Sequence, residues 1–140
     1  MTKRRRAAGA LALAVLPVLS GCLEQIVEVG FGGSYNLVAY NGQSVPFQTR
    51  PGNCFIELEG GTLHLFTDGS FELRLEANSE GAGCAAQAAA LFPPMLEGTY
   101  THDDFNVQFL QQDGASSQAG FHGSAVSWFL LGATFDFSRF

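Results

Sequence analysis

Residues 70–77 alternate strictly between apolar and polar side chains, which most constrains the fold of this chain. Phe71, Leu73 and Leu75 share one face of an extended segment, because successive side chains of a strand point to opposite faces. The charged residues between them share the other face. This period of two is typical of an antiparallel strand with one buried and one wet face. Asp68-Gly69, directly before it, is a hairpin turn signal.

Short segments of the same kind recur along the chain between turn signals. Gly60-Gly61 interrupts one pair of them, and residues 115–118 read as a loop. Short strands with turns at close intervals are typical of an antiparallel barrel or sandwich. The predicted strands cover residues 34–40, 44–48, 54–59, 62–67, 70–77, 98–102, 105–111, 120–124, 126–131 and 133–139.

Residues 78–98 break this rhythm. The segment 84–91 is rich in alanine, the best helix former, and Pro93-Pro94 ends it. We therefore predict a short helical insertion near residues 84–92 on the rim of the sheet structure. A disulfide-stapled connection is favoured here over a mobile flap.

The N-terminal residues combine a basic start at 3–6, an apolar run at 7–19 and the sequence Leu19-Ser20-Gly21-Cys22. These features resemble the signal peptide and lipobox of a bacterial lipoprotein. The resemblance implies that residues 1–21 are removed and that Cys22 is acylated and anchors the chain in a membrane. It further implies the outer membrane, facing the periplasm, if the host is Gram-negative, because Leu23 follows the cysteine. An ordinary cleaved signal with a chance cysteine is the less favoured alternative.

The mature chain would begin with a lipidated N-terminus and short tether at residues 22–33, followed by one domain at 34–140. With Cys22 acylated, Cys54 and Cys84 remain as an even pair in an oxidising compartment, which predicts a disulfide between them. The alternative of a metal site or reactive thiol lacks a second Cys or His at ligand spacing.

Charge narrows the choice of partners. Without residues 1–21, three basic residues remain against thirteen acidic ones, a formal balance of −10 with no lysine. Such a chain has no electrostatic footprint for nucleic acid, and anionic lipid headgroups would repel it. The acids are spread along the sequence, which favours solubility as their role over recognition of a cationic partner.

Several strand-and-turn phrases resemble the small lipocalin-like domains of bacterial secreted proteins. The resemblance implies an all-β fold, a small antiparallel up-and-down barrel of about eight strands, from which residues 78–98 depart. A looser similarity connects the chain with disulfide-bearing β-barrel lipoproteins that inhibit lysozyme or proteases. The matching phrases are GSYNLV at 33–38 with Asn41-Gly42 and Pro46, GTLHL at 61–65 with DGSF at 68–71, GTYT at 98–101 and FDFSR at 135–139.

The sequence contains no catalytic motif that we could place on particular residues. His102-Asp103-Asp104 could form a metal or acid–base cluster, but adjacent residues of a strand point apart, and a polar hairpin tip is the favoured interpretation. We predict no enzyme activity, no cofactor and no metal site.

Thirteen phenylalanines are many for a domain of this size. An eight-stranded barrel is either filled by side chains or holds one small ligand. We therefore expect a non-catalytic binding or structural module of the cell envelope, with a small apolar ligand as its sharper form. The alternative is an inhibitor-type lipoprotein that binds a basic envelope enzyme such as lysozyme or a protease. The residues predicted to line the barrel interior are Phe71, Phe105, Phe109, Trp128, Phe135 and Phe137.

Overall fold

A computed structural model of the chain describes residues 32–139. The predicted signal peptide at 1–21, Cys22 and nearly all of the predicted tether lie outside these residues; the first strand begins at Gly33, the last tether position. The elements are β1 Gly33–Tyr40, β2 Gln43–Ser44, β3 Phe47–Thr49, β4 Phe55–Leu65, β5 Ser70–Glu80, α1 Cys84–Leu91, β6 Met95–His102, β7 Asn106–Gln111, β8 Ser116–His122, β9 Ala125–Leu130 and β10 Ala133–Arg139.

Eight of the strands form a closed antiparallel barrel. From β4 to β10 each strand pairs with the next one in sequence, and β1 closes the ring between β10 and β4. The closing pair is short and joins residues 33–36 to residues 62–65. Beyond this closing pair, the short strand β2 pairs antiparallel with the end of β1, and β3 pairs antiparallel with the start of β4. The predicted all-β, up-and-down barrel of about eight strands with one short helix is confirmed.

Two predicted interruptions are strand instead. Gly60-Gly61 lies inside the continuous strand β4, where the pairing with β5 shifts register after Leu58. A β-bulge therefore absorbs the extra residue, and the ladder continues past the glycines. Residues 116–118, predicted as loop, belong to β8, where pairing with β7 and β9 compensates for a polar sequence of low strand propensity.

Aromatic rings fill the barrel interior. The Trp128 and Phe109 rings stack with their centroids 4.0 Å apart, and the Phe71 ring meets them edge-on at 5.7 and 4.8 Å. All three side chains are at most 2% exposed, and Phe135 and Phe137 are equally buried. Edge-on and stacked pairs at these distances are favourable ring geometries. Side chains rather than open space therefore occupy the middle of the barrel.

The sixth predicted interior residue, Phe105, is 69% exposed, so that prediction is wrong. Phe105 has the same parity as Val107 and Phe109, but β7 begins only at Asn106. The carboxylate of Asp103 accepts hydrogen bonds from the amides of Phe105 and Asn106. This turn redirects the Phe105 side chain into solvent before the strand alternation starts.

The barrel has a lower end, where β1 begins, and an upper end, which carries α1. At the upper end Cys54 and Cys84 form the predicted disulfide, with Cα atoms 5.5 Å apart. The bond ties the residue before β4 to the first residue of α1. Ala88 and Phe92 bury the same side of this segment, one and two turns later. A loop of this length contributes about 3–4 kcal/mol in the chain-entropy model.

Candidate functional site

Four concave regions on the described part of the molecule lie on its outer surface or rim. Their volumes are about 560, 250, 480 and 220 Å³. The largest of these four is lined by the outward side chains of β6, β7 and β8, and the 480 Å³ region lies beside the disulfide. Since the rings of Trp128 and its neighbours fill the interior, the candidate binding surfaces are on the outside of the barrel.

One side of this outer surface is strongly acidic. The outward positions of β4, β5 and β6 carry six glutamates and a single cation, Arg74. We call these residues the glutamate face. Its acidic members are Glu57 and Glu59 on β4, Glu72, Glu76 and Glu80 on β5, and Glu97 on β6.

Most charges on the glutamate face are not neutralised. Glu72 and Glu97 lie directly opposite each other on neighbouring strands, an arrangement that destabilises a sheet. Arg74 donates from Nε to Glu72 at 2.5 Å, and this hydrogen bond together with the charges of Glu72 and Glu97 raises the pKa of Arg74. Glu57 and Glu59 contact neutral amides, those of Gln48 at 2.7 Å and Asn78 at 2.6 Å. The face therefore keeps a net negative charge.

The glutamate face was not predicted from the sequence, because the acidic residues are spread along the chain. The β4–β5 hairpin places the outward side chains of both strands on one surface, and the pairing of β5 with β6 adds Glu97. Within each predicted strand, Glu57 and Glu59, and likewise Glu72 and Glu76, occupy alternate positions on the polar side. Combining this alternation with the predicted hairpin could have found the glutamate face.

A serine and a histidine meet where β1 and β4 close the barrel. Ser34 Oγ lies 2.8 Å from His64 Nδ1, and Glu72 is the cross-strand neighbour of His64. This row has the residue types of a nucleophile, a base and an acid. However, Glu72 is hydrogen-bonded to Arg74. The backbone amides of paired strands donate to the carbonyls of their neighbours, so they are not available to form an oxyanion hole. We interpret the Ser34–His64 contact as a clip between the closing strands.

The His102-Asp103-Asp104 segment is a hairpin tip. Asp103 Oδ1 accepts hydrogen bonds from the backbone amides of Phe105 at 2.9 Å and Asn106 at 2.8 Å. These donors favour the charged form and lower the pKa of Asp103. The carboxylate is thus committed to the turn. Within residues 32–139 no three His, Cys, Asp or Glu side chains lie close enough together to hold a metal ion.

The side of the barrel away from the glutamate face is nearly free of charge. From residue 105 to residue 135, Asp113 is the only Asp, Glu, Lys or Arg in the sequence. Apart from His122 at the end of β8, the outward residues of β7 to β9 are small, carboxamide or apolar, and Phe129 and Leu110 are 62% and 51% exposed. The barrel therefore presents one acidic and one neutral surface.

Comparison with known proteins identifies no relative. A scan against protein-family models and searches of curated proteins and of solved structures all gave no match. In the described part of the chain, no helix has the length and apolar character needed to cross a membrane.

Proposed function

We propose that this chain is a non-catalytic lipoprotein of the bacterial cell envelope, anchored through an acylated Cys22, whose barrel binds partners on its outer surface. The filled interior carries this proposal. With Trp128 and Phe109 stacked at 4.0 Å in the middle of the barrel, a small apolar ligand would have to displace buried rings. Closely packed interiors resist such a rearrangement. A rigid scaffold that presents its surface fits this packing better than a ligand carrier.

The proposed anchor places the barrel close to a membrane. Ten residues lie between Cys22 and Gly33, the first residue of β1, so eleven Cα–Cα steps join the two. A fully extended tether of that length spans at most about 40 Å. Stable anchoring requires more than one acyl chain, which the resemblance to lipoproteins implies for Cys22. In a Gram-negative host, the barrel would therefore act at the periplasmic surface of the outer membrane.

We expect radiolabelled palmitate to label the wild-type chain and to fail to label Cys22→Ala. The matched control is Cys54→Ala/Cys84→Ala, which also loses cysteines but keeps the proposed lipid site and should be labelled. The intact mass of the wild-type protein should equal that of a chain that starts at Cys22 and carries the acyl groups. Label on Cys22→Ala, or a mature chain that begins elsewhere, would contradict the proposed anchor.

The glutamate face favours a basic envelope protein, such as a lysozyme or a protease, as one surface partner. Complementary charge speeds association and selects partners. Glu72 and Glu97 lie opposite each other with Arg74 as the one cation beside them, so the surface they share keeps a surplus of negative charge. The proposal thus retains the inhibitor-type alternative and assigns it to a particular surface.

We expect lysozyme to bind the lipidated protein in detergent, with an affinity that falls as salt rises. Glu76→Gln/Glu97→Gln should weaken this binding roughly tenfold, which corresponds to about 1.4 kcal/mol. Asp104→Asn/Asp113→Asn removes the same charge from turns outside the glutamate face and should have a much smaller effect. Surface plasmon resonance at several salt concentrations measures both. Equal weakening by the two double variants would contradict a localised binding face, and no binding would contradict this partner class.

A further inference from the structure

We propose that the outer surface of β6 to β8, beside the glutamate face, carries a second binding site, a groove for an uncharged oligosaccharide. The outer groove is the 560 Å³ concavity across β6, β7 and β8. The 220 Å³ concavity lies below the outer groove and shares Thr101 and Gln108 with it. The 250 Å³ concavity lies above the outer groove on β6 and β7. Together they follow β6 over its eight residues, about 23 Å at 3.3 Å per residue. The side chains of the outer groove are Thr99, Thr101, Gln108, Leu110, Ser116 and Gln118.

The polar side chains of the outer groove are uncommitted. Three are hydroxyls and two are carboxamides, and each of these groups both donates and accepts hydrogen bonds. Within residues 32–139, none of the five forms a side-chain hydrogen bond. Elsewhere on the outer surface polar side chains pair across strands, as in Ser127 with Asp136 and Asn78 with Glu59. The groove thus offers free donors and acceptors that match the hydroxyl groups of a sugar.

An exposed aromatic ring borders the groove. Phe129 on β9 is the direct cross-strand partner of Gln118, and 62% of it is exposed. Its outward neighbour along β9, Ser127, is small, and no ring contact buries Phe129 within the described residues. The face of an aromatic ring is electronegative and attracts weakly positive C–H groups, which line one face of a pyranose ring. Phe129 is therefore positioned to stack on a sugar held by Gln118.

Charge selects against other small ligands. The outward side chains of the groove include no Asp, Glu, Lys, Arg or His, while Glu97 and Asp113 border its upper continuation and His102 and Asp103 its lower one. Acids at both ends disfavour an anionic polymer, and a cation would be attracted to the glutamate face instead. The occupant that fits best is uncharged.

A peptide strand is a poorer occupant than a glycan. Extended peptides commonly bind by adding a strand to a free sheet edge. Here β6, β7 and β8 are interior members of the closed ring, each paired on both sides, so the groove has no edge to extend. Recognition must rely on side chains, which suits the hydroxyl-rich surface of a sugar.

Titration of the full lipidated protein in detergent with two neutral probes, N-acetylglucosamine tetramer and maltotetraose, tests this site. We expect at least one probe to bind saturably, and Phe129→Ala and Gln118→Ala each to weaken binding roughly tenfold. The matched control is Val38→Ala, which truncates another exposed apolar side chain, 45% exposed on β1, and should bind like the wild type.

Thermal unfolding of each variant establishes that it is folded, and lysozyme binding to the same samples separates this site from the glutamate face. No saturation by either probe at about 10 mM, or unchanged binding by Phe129→Ala, would overturn the proposal. Saturable binding of an extended uncharged peptide that competes with the sugar would overturn the assignment to a glycan. Retained sugar binding without lysozyme binding would leave this site standing and contradict only the protein partner.

Discussion

Replacing Trp128 with alanine is expected to lower the free energy of unfolding by about 3–5 kcal/mol. The Trp128 side chain is fully buried and stacks on Phe109. Its indole Nε1 also donates a hydrogen bond to Ser117 Oγ at 2.8 Å. The substitution would leave a cavity in the middle of the barrel and remove the hydrogen-bond partner of Ser117, and both effects destabilise the folded state. Chemical denaturation followed by far-UV circular dichroism measures the change without using tryptophan fluorescence.

The next residue provides the matched control. Phe129 follows Trp128 on the same strand but points outward and is 62% exposed. Phe129→Ala removes an aromatic ring from that strand and should change stability by no more than about 0.5 kcal/mol. A loss below about 1 kcal/mol for Trp128→Ala would contradict a tightly filled interior. Such a small loss would instead favour a barrel interior with room for a ligand.

Local pattern was sufficient to predict the hairpin that dominates this fold. The alternation of Phe71, Leu73 and Leu75 and the turn at Asp68-Gly69 identify β5 and its connection to β4, because both signals lie within a few residues. The closure of the barrel could not be located in the same way. Pairing of Ser34 with His64 joins residues thirty positions apart, and its register depends on the curvature of the whole sheet.

The incorrect strand predictions have a common physical origin. Gly60 and the polar start of β8 lack the local preference for extended structure, and pairing with neighbouring strands supplies what the local sequence does not. For Phe105 the error has the opposite cause. A local turn, capped by Asp103, overrides a parity that looked continuous with Val107 and Phe109.

The candidate surfaces were partly within reach of the sequence. The outward parity of Glu72 and Glu76 could be read directly, and the adjacent hairpin strand adds Glu57 and Glu59. The opposition of Glu72 and Glu97 could not be read from the sequence. The strand β6 follows an insertion that contains α1, so tertiary packing rather than a short turn sets its register on β5. The outer groove depends likewise on the registers of β7, β8 and β9, which bring Gln118 beside Phe129.

Gly98 is the position where we expect a single methyl group to have the second-largest effect on stability. A Cβ atom added there would overlap the carbonyl oxygen of Leu110 on β7 and would lie 2.9 Å from Cε1 of Phe71. Neither neighbour can yield easily, since Leu110 contributes backbone atoms of the β6–β7 ladder and Phe71 is 2% exposed in the core. Gly98→Ala is therefore expected to cost about 3 kcal/mol, at the upper end for overpacking.

Gly60→Ala is the matched control for this prediction, because Gly60 also lies within a barrel strand but a Cβ there meets nothing within 4 Å. Replacing a glycine at a tolerant position restricts the unfolded chain, so this variant should be as stable as the wild type or slightly more stable. Denaturation midpoints of the two variants, measured side by side, isolate the close approach of β6 and β7 from the general effect of glycine. Hydrogen exchange should show the lost protection of Gly98→Ala concentrated in β6 and β7. Equal midpoints for the two variants would contradict the close strand approach at Gly98, on which the shape of the outer groove beside Leu110 depends.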